Sequence, residues 1–211
     1  RITIPKATVA RLSLYLKCLE AMADNLSTVS SANLAEAANV NPAKVRKDLS
    51  YLGSNGTRGV GYDRMQLCFE IRGHLGLYHE SPIIIMGAGN LGSALANYSE
   101  FSNSGFYVVG VYDLDPDRIG TAINGQKIRH IHDLEADVST HGVTIGVITT
   151  PPEAAQETAE RMVAAGIQSI LNFAPTVIHV AESVNVRRVD LSTELQILSY
   201  YRGQHPEEQA S

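Results

Sequence analysis

The chain has 211 residues, 44% hydrophobic and 18% charged, which excludes an intrinsically disordered protein and is enough for one or two packed domains. No apolar run is long enough to cross a bilayer, so we expect a soluble cytoplasmic protein with no membrane partner. The formal net charge of -5 is unevenly distributed: residues 1–80 hold ten Lys and Arg against seven Asp and Glu, whereas residues 81–211 hold seven against fifteen. This asymmetry predicts two modules with different partners.

The basic first module begins with an amphipathic helix predicted over Ala7–Asn25, whose apolar residues recur at spacings of three and four. A serine pair at positions 30 and 31 can cap a short second helix, and the segment 39–41 interrupts that helix. Asn41 and Pro42 then start a third helix that we expect to run to about Leu52. Two short helices joined by a three-residue turn predict a helix-turn-helix.

The second helix of this pair is predicted to present a basic outer face. Val45, Leu49 and Leu52 fall on one side, at spacings of four and three, and are expected to pack inward. The opposite side is small and basic, which suits a helix in a DNA major groove, where Lys and Arg can reach guanine edges or phosphates. The residues expected on this side and its flanks are Ala43, Lys44, Arg46, Lys47 and Ser50.

A glycine-rich stretch after that helix predicts a wing, a small hairpin over Leu52–Tyr62. Arg58, followed by Gly59, lies at its tip. A narrow minor groove attracts arginine, and glycine permits close approach of the backbone. An ordinary solvated hairpin on a helical cap domain is the alternative that this pattern leaves open.

The second module begins after the predicted linker Gly76–Pro82. A buried strand, Ile83–Met86, runs into a GxGxxG turn over Gly87–Gly92 and then into a helix. Such a turn binds a dinucleotide when it lies between a strand and a helix, because its glycines allow a tight turn, close approach of the pyrophosphate and close packing. Asp113, at the end of the next strand, could accept hydrogen bonds from the adenine ribose and would favour NAD(H) over NADP(H).

The rest of the chain alternates predicted strands and helices, which indicates an α/β domain with a parallel sheet. His130 and His132 alternate as on a strand, but no third ligand completes a metal site. Too little chain remains for a separate substrate domain, so we expect a sensor rather than an enzyme. An NAD-dependent oxidoreductase with a helical cap is the alternative, and a coenzyme A-binding protein is a third possibility.

Taken together, these residues resemble the redox-sensing transcriptional repressor family called Rex, over nearly the whole chain. The matching segments are IPKATVARL (Ile4–Leu12), VSSANLAEAA (Val29–Ala38), VRKDLSYLGSNGTRGVGYD (Val45–Asp63), GAGNLGSALANY (Gly87–Tyr98), AAGIQSILNFAP (Ala164–Pro175) and VRRVDLSTELQILSYY (Val186–Tyr201).

The resemblance implies a homodimeric repressor that binds palindromic double-stranded operator DNA, is released by NADH and is permitted to bind by NAD+. It implies a winged helix-turn-helix domain over 1–78, a Rossmann domain over 82–190, a dimerisation helix over 191–203 swapped onto the partner, and a tail over 204–211. The implied DNA contacts are Lys44, Arg46, Lys47, Ser50, Arg58 and Gly59. The implied NAD(H) contacts are Gly87, Ala88, Gly89, Asn90, Leu91, Gly92 and Asp113, with Thr149, Thr150, Pro151, Asn172, Phe173 and Pro175 toward the nicotinamide.

The resemblance also implies a switchable contact between domains, formed by Lys17, Tyr98 and Asp190. Family members often have arginine where this chain has Lys17, and lysine keeps the charge but loses the bidentate fork. Some members have an aromatic residue where this chain has Leu191. We therefore expect a weaker switch contact here and a different packing of the nicotinamide.

Overall fold

The computed structural model describes residues 3–23, 25–54 and 56–202. The chain divides into two compact units, Arg1–His79 and Glu80–Ser211. The division falls inside the predicted linker Gly76–Pro82. The predicted tail, 204–211, and residue 203 of the predicted dimerisation helix lie outside the described residues.

The first unit is a small helical domain with a two-stranded sheet. Its core consists of side chains from all four helices, among them the fully buried Leu12, Leu34, Leu49 and Ile71. The two short strands pair antiparallel and join the segment before the helix-turn-helix to the end of the wing. The elements are α1 Lys6–Ala21, β1 Thr28–Val29, α2 Ser31–Ala37, α3 Pro42–Ser50, β2 Tyr62–Asp63 and α4 Arg64–His74.

The second unit is built on a six-stranded parallel sheet. The strands are β3 Ser81–Met86, β4 Phe106–Asp113, β7 Arg129–His130, β8 Ile145–Ile148, β9 Ser169–Asn172 and β10 Asn185–Arg188, with a separate hairpin of β5 Ala122–Ile123 and β6 Gln126–Lys127. The helices are α5 Asn90–Ala96, α6 Ser99–Asn103, α7 Leu134–His141, α8 Pro152–Ala164 and α9 Leu191–Arg202.

The strand order β10-β9-β8-β3-β4-β7 is that of a doubly wound Rossmann sheet. Successive strands are added outward from β3 on one side and then from β8 on the other, so the winding reverses between these two strands. Ligands of open α/β sheets bind at such a reversal, outside the carboxyl ends of the strands. The predicted Rossmann domain, preceded in the chain by a winged helix, is therefore confirmed.

Several local expectations need correction. The single helix expected after the glycine turn is two helices, α5 and α6, which meet at Asn97 and Tyr98. His132 does not continue the strand of His130 but lies in a 3-10 turn, although the two rings meet edge to face at 4.3 Å. Among the described residues, no cluster of His, Cys, Asp and Glu could hold a metal ion. In the same part of the chain, no helix is long and apolar enough to cross a membrane.

Both cysteines are held in packed surroundings. The Cys68 thiol is buried in the helical core, and the half-buried Cys18 thiol donates to the carbonyl of Ala37 at 3.5 Å. Burial raises the pKa of both thiols. Both are therefore protonated at neutral pH, which disfavours a reactive thiolate.

Candidate nucleic-acid interface and nucleotide crevice

Three residues determine where the two helices of the helix-turn-helix begin and how they are joined. The Ser30 side chain caps α2 by accepting from the Asn33 backbone N–H at 3.0 Å, and Asn41 caps α3 by accepting from Ala43 at 2.7 Å. Between the helices, Asn39 adopts a positive φ of 51°, which asparagine tolerates better than most residues. These residues fix the turn that aims α3.

The outer face of α3 matches the predicted DNA-reading surface. Val45 and Leu49 are fully buried and Leu52 is half-buried. On the outside, Arg46 donates to the hydroxyl of Ser31 at 3.1 Å, and the Ser50 hydroxyl donates to the Lys47 carbonyl at 2.7 Å. The exposed residues are Ala43, Lys44, Arg46, Lys47 and Ser50. The structure thus places all four predicted α3 contacts on one accessible, basic surface.

The wing has a tight turn at its tip. Thr57 and Gly61 exchange backbone hydrogen bonds of 2.8 and 2.9 Å, so Arg58 and Gly59 stand at the projecting end. Gly59 has a φ of 82°, a value that favours glycine, and both tip residues are exposed. A Cβ on Gly61 would collide with the carbonyl oxygen of Val29, so glycine there seats the wing against β1.

The predicted GxGxxG turn lies at the reversal of the sheet, between β3 and the end of β8. Gly87 has a φ of 102°, and a Cβ there would lie 2.9 Å from the backbone of Thr149 and Thr150. A Cβ on Gly92 would overlap the carbonyl oxygen of Gly87. Gly89 is different, because the nearest atom to a Cβ there is an Arg118 nitrogen at 4.0 Å. The first and third glycines are thus required by the fold, and the second leaves open space.

Asp113 is engaged differently from the expectation. Its Oδ2 accepts from the Ala88 N–H at 2.7 Å, and its Oδ1 accepts from the Leu114 and Asp115 N–H groups at 2.7 and 3.0 Å. The carboxylate therefore clamps the glycine turn to the end of β4. A carboxylate has about four acceptor sites, so one remains on Oδ2 for a ribose hydroxyl.

The ends of β8 and β9 form the other wall of the crevice. The Thr149 hydroxyl donates to the carbonyl oxygen of Gly87 at 2.8 Å. The buried Asn172 side chain donates from Nδ2 to the Thr176 carbonyl and accepts at Oδ1 from the Ala174 N–H. Thr150 Oγ1 is buried and has no hydrogen-bond partner among the described residues. Pro151 precedes α8, Phe173 is half-buried, and Pro175 is exposed. Thr150 Oγ1 is thus a polar atom beside the crevice that the described residues leave without a hydrogen bond.

Arg118 is a candidate site residue that the sequence reasoning missed. Its guanidinium lies over the glycine turn, where Nη1 donates to the Ala88 carbonyl at 2.6 Å and Nε donates to Asp115 at 3.1 Å. A positive group beside the start of a helix is suited to phosphate. The sequence signal was a basic residue shortly after the strand-ending aspartate.

Two of the predicted switch residues are exposed, and the third, Asp190, is half-buried and already has partners. Lys17 and Tyr98 are exposed, and Tyr98 contacts Phe101 edge to face. Asp190 pairs with Arg188 at 2.6 Å and caps α9 by accepting from the Ser192 and Thr193 N–H groups.

The final helix, α9, has an apolar face that the described part of the chain does not bury. Leu191, Leu195 and Leu198 are each more than 60% exposed. Ile197 and Tyr201 are also exposed beside them.

A basic recognition helix and a Rossmann crevice on one chain define a transcriptional regulator that responds to a nucleotide. The redox-sensing transcriptional repressor Rex of Streptomyces griseus subsp. griseus is 57% identical over 199 residues, which are 94% of this chain and 79% of that protein. The chain therefore belongs to the Rex family of redox-sensing transcriptional repressors, as the resemblance predicted. Membership of a repressor family favours a regulator over the alternative of an oxidoreductase.

Family models and solved structures agree with this assignment. Residues 3–50 match the model described as "Putative DNA-binding protein N-terminus", and residues 79–176 match the CoA binding domain. The crystal structure of RSP in complex with β-NAD+ and operator DNA is similar with a TM-score of 0.89 and 34% identity, covering 97% of this chain and 94% of that chain. The crystal structure of RSP in complex with β-NADH is similar with a TM-score of 0.85 and 33% identity, covering 97% of this chain and 96% of that chain.

Proposed function

We propose that this chain is a homodimeric repressor, acting in the cytoplasm, that binds palindromic operator DNA and is released by NADH. The central observation is that one chain joins an exposed basic helix and wing to a glycine-lined crevice at the reversal of a parallel sheet. The helix and wing form a surface suited to DNA, and the crevice is a site suited to a dinucleotide. Nothing in this arrangement requires a chemical step on the nucleotide.

On the DNA side, α3 enters the major groove with Lys44, Arg46, Lys47 and Ser50 facing the bases and phosphates. Arg58 and Gly59 bring the wing tip to the flanking backbone or minor groove. The exposure of all six residues supports this assignment. The net charge of the chain does not oppose binding, because the local charge at the contact decides the attraction.

On the nucleotide side, the pyrophosphate lies against Gly87–Gly92 at the start of α5, and the adenine ribose lies near Asp113. The nicotinamide lies toward Thr149, Thr150, Pro151, Asn172, Phe173 and Pro175. The position of Thr149 and Thr150 at the end of β8, beside the glycine turn, supports this placement. NAD+ has a charged ring and NADH a neutral one, so closing an apolar wall over the ring favours NADH.

The dimer is formed through α9, which packs its apolar face on the partner subunit in a swapped arrangement. The exposed leucines of α9 support this, because single chains rarely leave so continuous an apolar face in water. Two recognition helices then read the two halves of a palindrome when they stand about 34–36 Å apart.

The switch is a shift between two arrangements of the dimer, only one of which matches the operator. NADH binds the other arrangement better and withdraws the protein from DNA. Lys17, Tyr98 and Asp190 form a contact that differs between the two. A coupling free energy of about 1–3 kcal/mol changes operator affinity by roughly 5- to 150-fold.

Fluorescence anisotropy with a selected operator duplex and a random duplex of equal length tests the proposal. We expect selective operator binding that survives NAD+ and is lost with NADH. The double variant Lys47→Ala and Arg58→Ala should lose operator binding and keep NADH affinity. Lys127→Ala, which removes an exposed charge from β6, serves as the control and should bind DNA normally. Absence of selective binding under every nucleotide condition would refute the repressor function.

A further inference from the structure

The recognition helix contains a buried acidic residue that no DNA contact accounts for. Asp48 is 1% exposed and lies on the inner side of α3, between Val45 and Leu49. A buried carboxylate is costly unless it is paired and fully hydrogen-bonded. Its partners therefore reveal what the helix is fastened to.

Among the described residues, the side-chain partners of Asp48 all come from α1. Its Oδ1 accepts from the Thr8 hydroxyl at 2.9 Å, and its Oδ2 accepts from the Tyr15 hydroxyl at 2.9 Å. Arg11 donates from Nε to Oδ2 at 2.6 Å and from Nη2 to Oδ1 at 2.8 Å. Arg11 thus holds the carboxylate in a planar, two-point contact, which fixes orientation as well as distance.

The network spans about two turns of α1, from Thr8 to Tyr15, and converges on one point of α3. Apolar packing against Val45 and Leu49 is not directional, so it permits small rotations and slides of the helix. Four hydrogen bonds from three side chains on a rigid helix restrict such rotations and slides, because each bond has a narrow range of distance and angle. The network therefore adds directional restraint to the apolar packing.

We propose that Asp48 is a positioning residue for DNA reading, which sets the angle and register of the recognition helix through α1. Lys47 immediately precedes Asp48 in α3, so any rotation of the helix that moves Asp48 also moves Lys47. Contacts to base edges depend on that register, whereas contacts to phosphates tolerate more displacement. This inference rests on the proposed operator binding.

The burial of Asp48 also keeps the outer face positive. An acidic residue on the DNA side of α3 would repel phosphates, but this one is turned inward and neutralised by Arg11. Neutralising Asp48 should therefore weaken DNA reading rather than strengthen it. A residue that acts only by repulsion would give the opposite sign.

The test compares Asp48→Asn, Tyr15→Phe and Thr8→Val with a matched control. Glu20→Gln breaks another ion pair of α1, the half-exposed Arg72–Glu20 pair, whose two nitrogens lie 2.6 and 3.1 Å from Glu20 Oε1. That pair joins α1 to α4 and does not involve α3. Each protein is titrated with operator and random duplexes at several salt concentrations, and folding is checked by circular dichroism.

We expect operator affinity to fall at least tenfold in Asp48→Asn and severalfold in Tyr15→Phe. Random-duplex affinity, its salt dependence and NADH affinity should stay within twofold, and Glu20→Gln should match wild type. Unchanged operator affinity in the folded variants, or equal changes on both duplexes, would overturn the inference. If Asp48→Asn does not fold, the two milder variants decide in the same way.

A measurement without DNA separates this inference from the proposed function. Amide hydrogen exchange should become faster in α3 of Tyr15→Phe and stay unchanged in α4. If wild type shows no operator selectivity, the proposed function fails, and the exchange result still decides whether Asp48 holds the helix. Unchanged exchange in α3 would contradict the inference.

Discussion

The backbone N–H of Ala88 donates a 2.7 Å hydrogen bond to Oδ2 of Asp113, so the residue that ends β4 holds the turn that follows β3. The same carboxylate therefore holds the glycine turn in place and is the candidate contact for the adenine ribose. A change at Asp113 should therefore affect both the shape of the turn and the choice of nucleotide.

We expect Asp113→Asn to weaken NADH binding about tenfold and to reduce the preference for NADH over NADPH. The amide keeps one acceptor oxygen but cannot accept all three backbone hydrogen bonds, and it no longer repels a 2′-phosphate. Isothermal titration with both nucleotides measures the two effects. Asp117→Asn is the control, since it changes the same charge on the same loop at an exposed side chain. If Asp113→Asn binds NADH and NADPH with the same affinities as wild type, the assignment of Asp113 to the ribose is contradicted.

Alanine substitutions at two glycines of the turn should have different effects, one on folding and the other on NADH binding. Gly92→Ala places a methyl group on the carbonyl of Gly87 and should destabilise the second unit by about 3 kcal/mol or more. Gly89→Ala meets open space and has an ordinary backbone conformation, with φ -66°. We expect it to fold normally and to lose roughly tenfold or more in NADH affinity, because its methyl group stands where the pyrophosphate approaches. Thermal unfolding and NADH titration of both variants check this, and full NADH affinity in Gly89→Ala would contradict it.

The exposed face of α9 should control assembly. Leu195→Glu is expected to convert the dimer to a monomer, because it puts a charge into the interface we propose. It should cost the folded single chain less than about 0.5 kcal/mol, since Leu195 is 67% exposed there. Light scattering after size-exclusion chromatography measures the mass. Gln196→Glu adds the same charge away from the leucine line and should remain dimeric; a dimeric Leu195→Glu protein would exclude α9 as the interface.

The regular elements were predictable because their burial leaves a periodic signal. The pattern of Val45 and Leu49 correctly gave the inner face of α3. Strand β10 was missed because it lies at the sheet edge and reads Asn-Val-Arg-Arg, without the apolar run of a central strand. A polar edge strand is recognisable only once its neighbour β9 is in place.

The polar contacts were harder to predict, since their partners are distant in the chain. The α1 partners of Asp48 lie 33 to 40 residues before it. One signal was available: an aspartate on the apolar stripe of a basic helix needs a buried cation or donors. The three backbone bonds to Asp113 arise from a turn geometry that residue types alone do not specify.

Arg118 should contribute to the binding of the adenosine and phosphate half of the ligand. We expect Arg118→Ala to lower the affinities for NADH and for ADP-ribose by the same factor, about three- to tenfold, because its guanidinium lies over the turn rather than near the nicotinamide. Parallel titrations with the two ligands measure this. Arg161→Ala, which removes an exposed ion pair on α8, is the control. A loss confined to NADH would place Arg118 near the nicotinamide instead.

The Asp48 network should make the first unit sensitive to acid. Burial alone would raise the pKa of Asp48, but hydrogen bonds from Arg11, Tyr15 and Thr8 outweigh burial and lower it. Burial, together with the hydrogen bond to Asp48, raises the pKa of Tyr15 to about 12. A carboxyl whose pKa is lower in the folded than in the unfolded chain stabilises the fold above the unfolded value, about 3.9, and loses that contribution as the pH falls through the folded value.

We therefore expect the difference in unfolding free energy between wild type and Asp48→Asn to be largest near neutral pH and to shrink below about pH 4. At pH 7 it should be about 2 kcal/mol. This is less than the roughly 3–5 kcal/mol of a fully buried pair, since the Arg11 side chain is 25% exposed. Urea unfolding of both full-length proteins from pH 7 to pH 3 measures this difference. Asp137, whose pKa is also lowered, titrates in both proteins and cancels. A difference that stays constant down to pH 3 would mean that the pKa of Asp48 is the same in the folded and the unfolded protein, and a difference that grows on acidification would mean that folding raises it; either result would contradict the prediction.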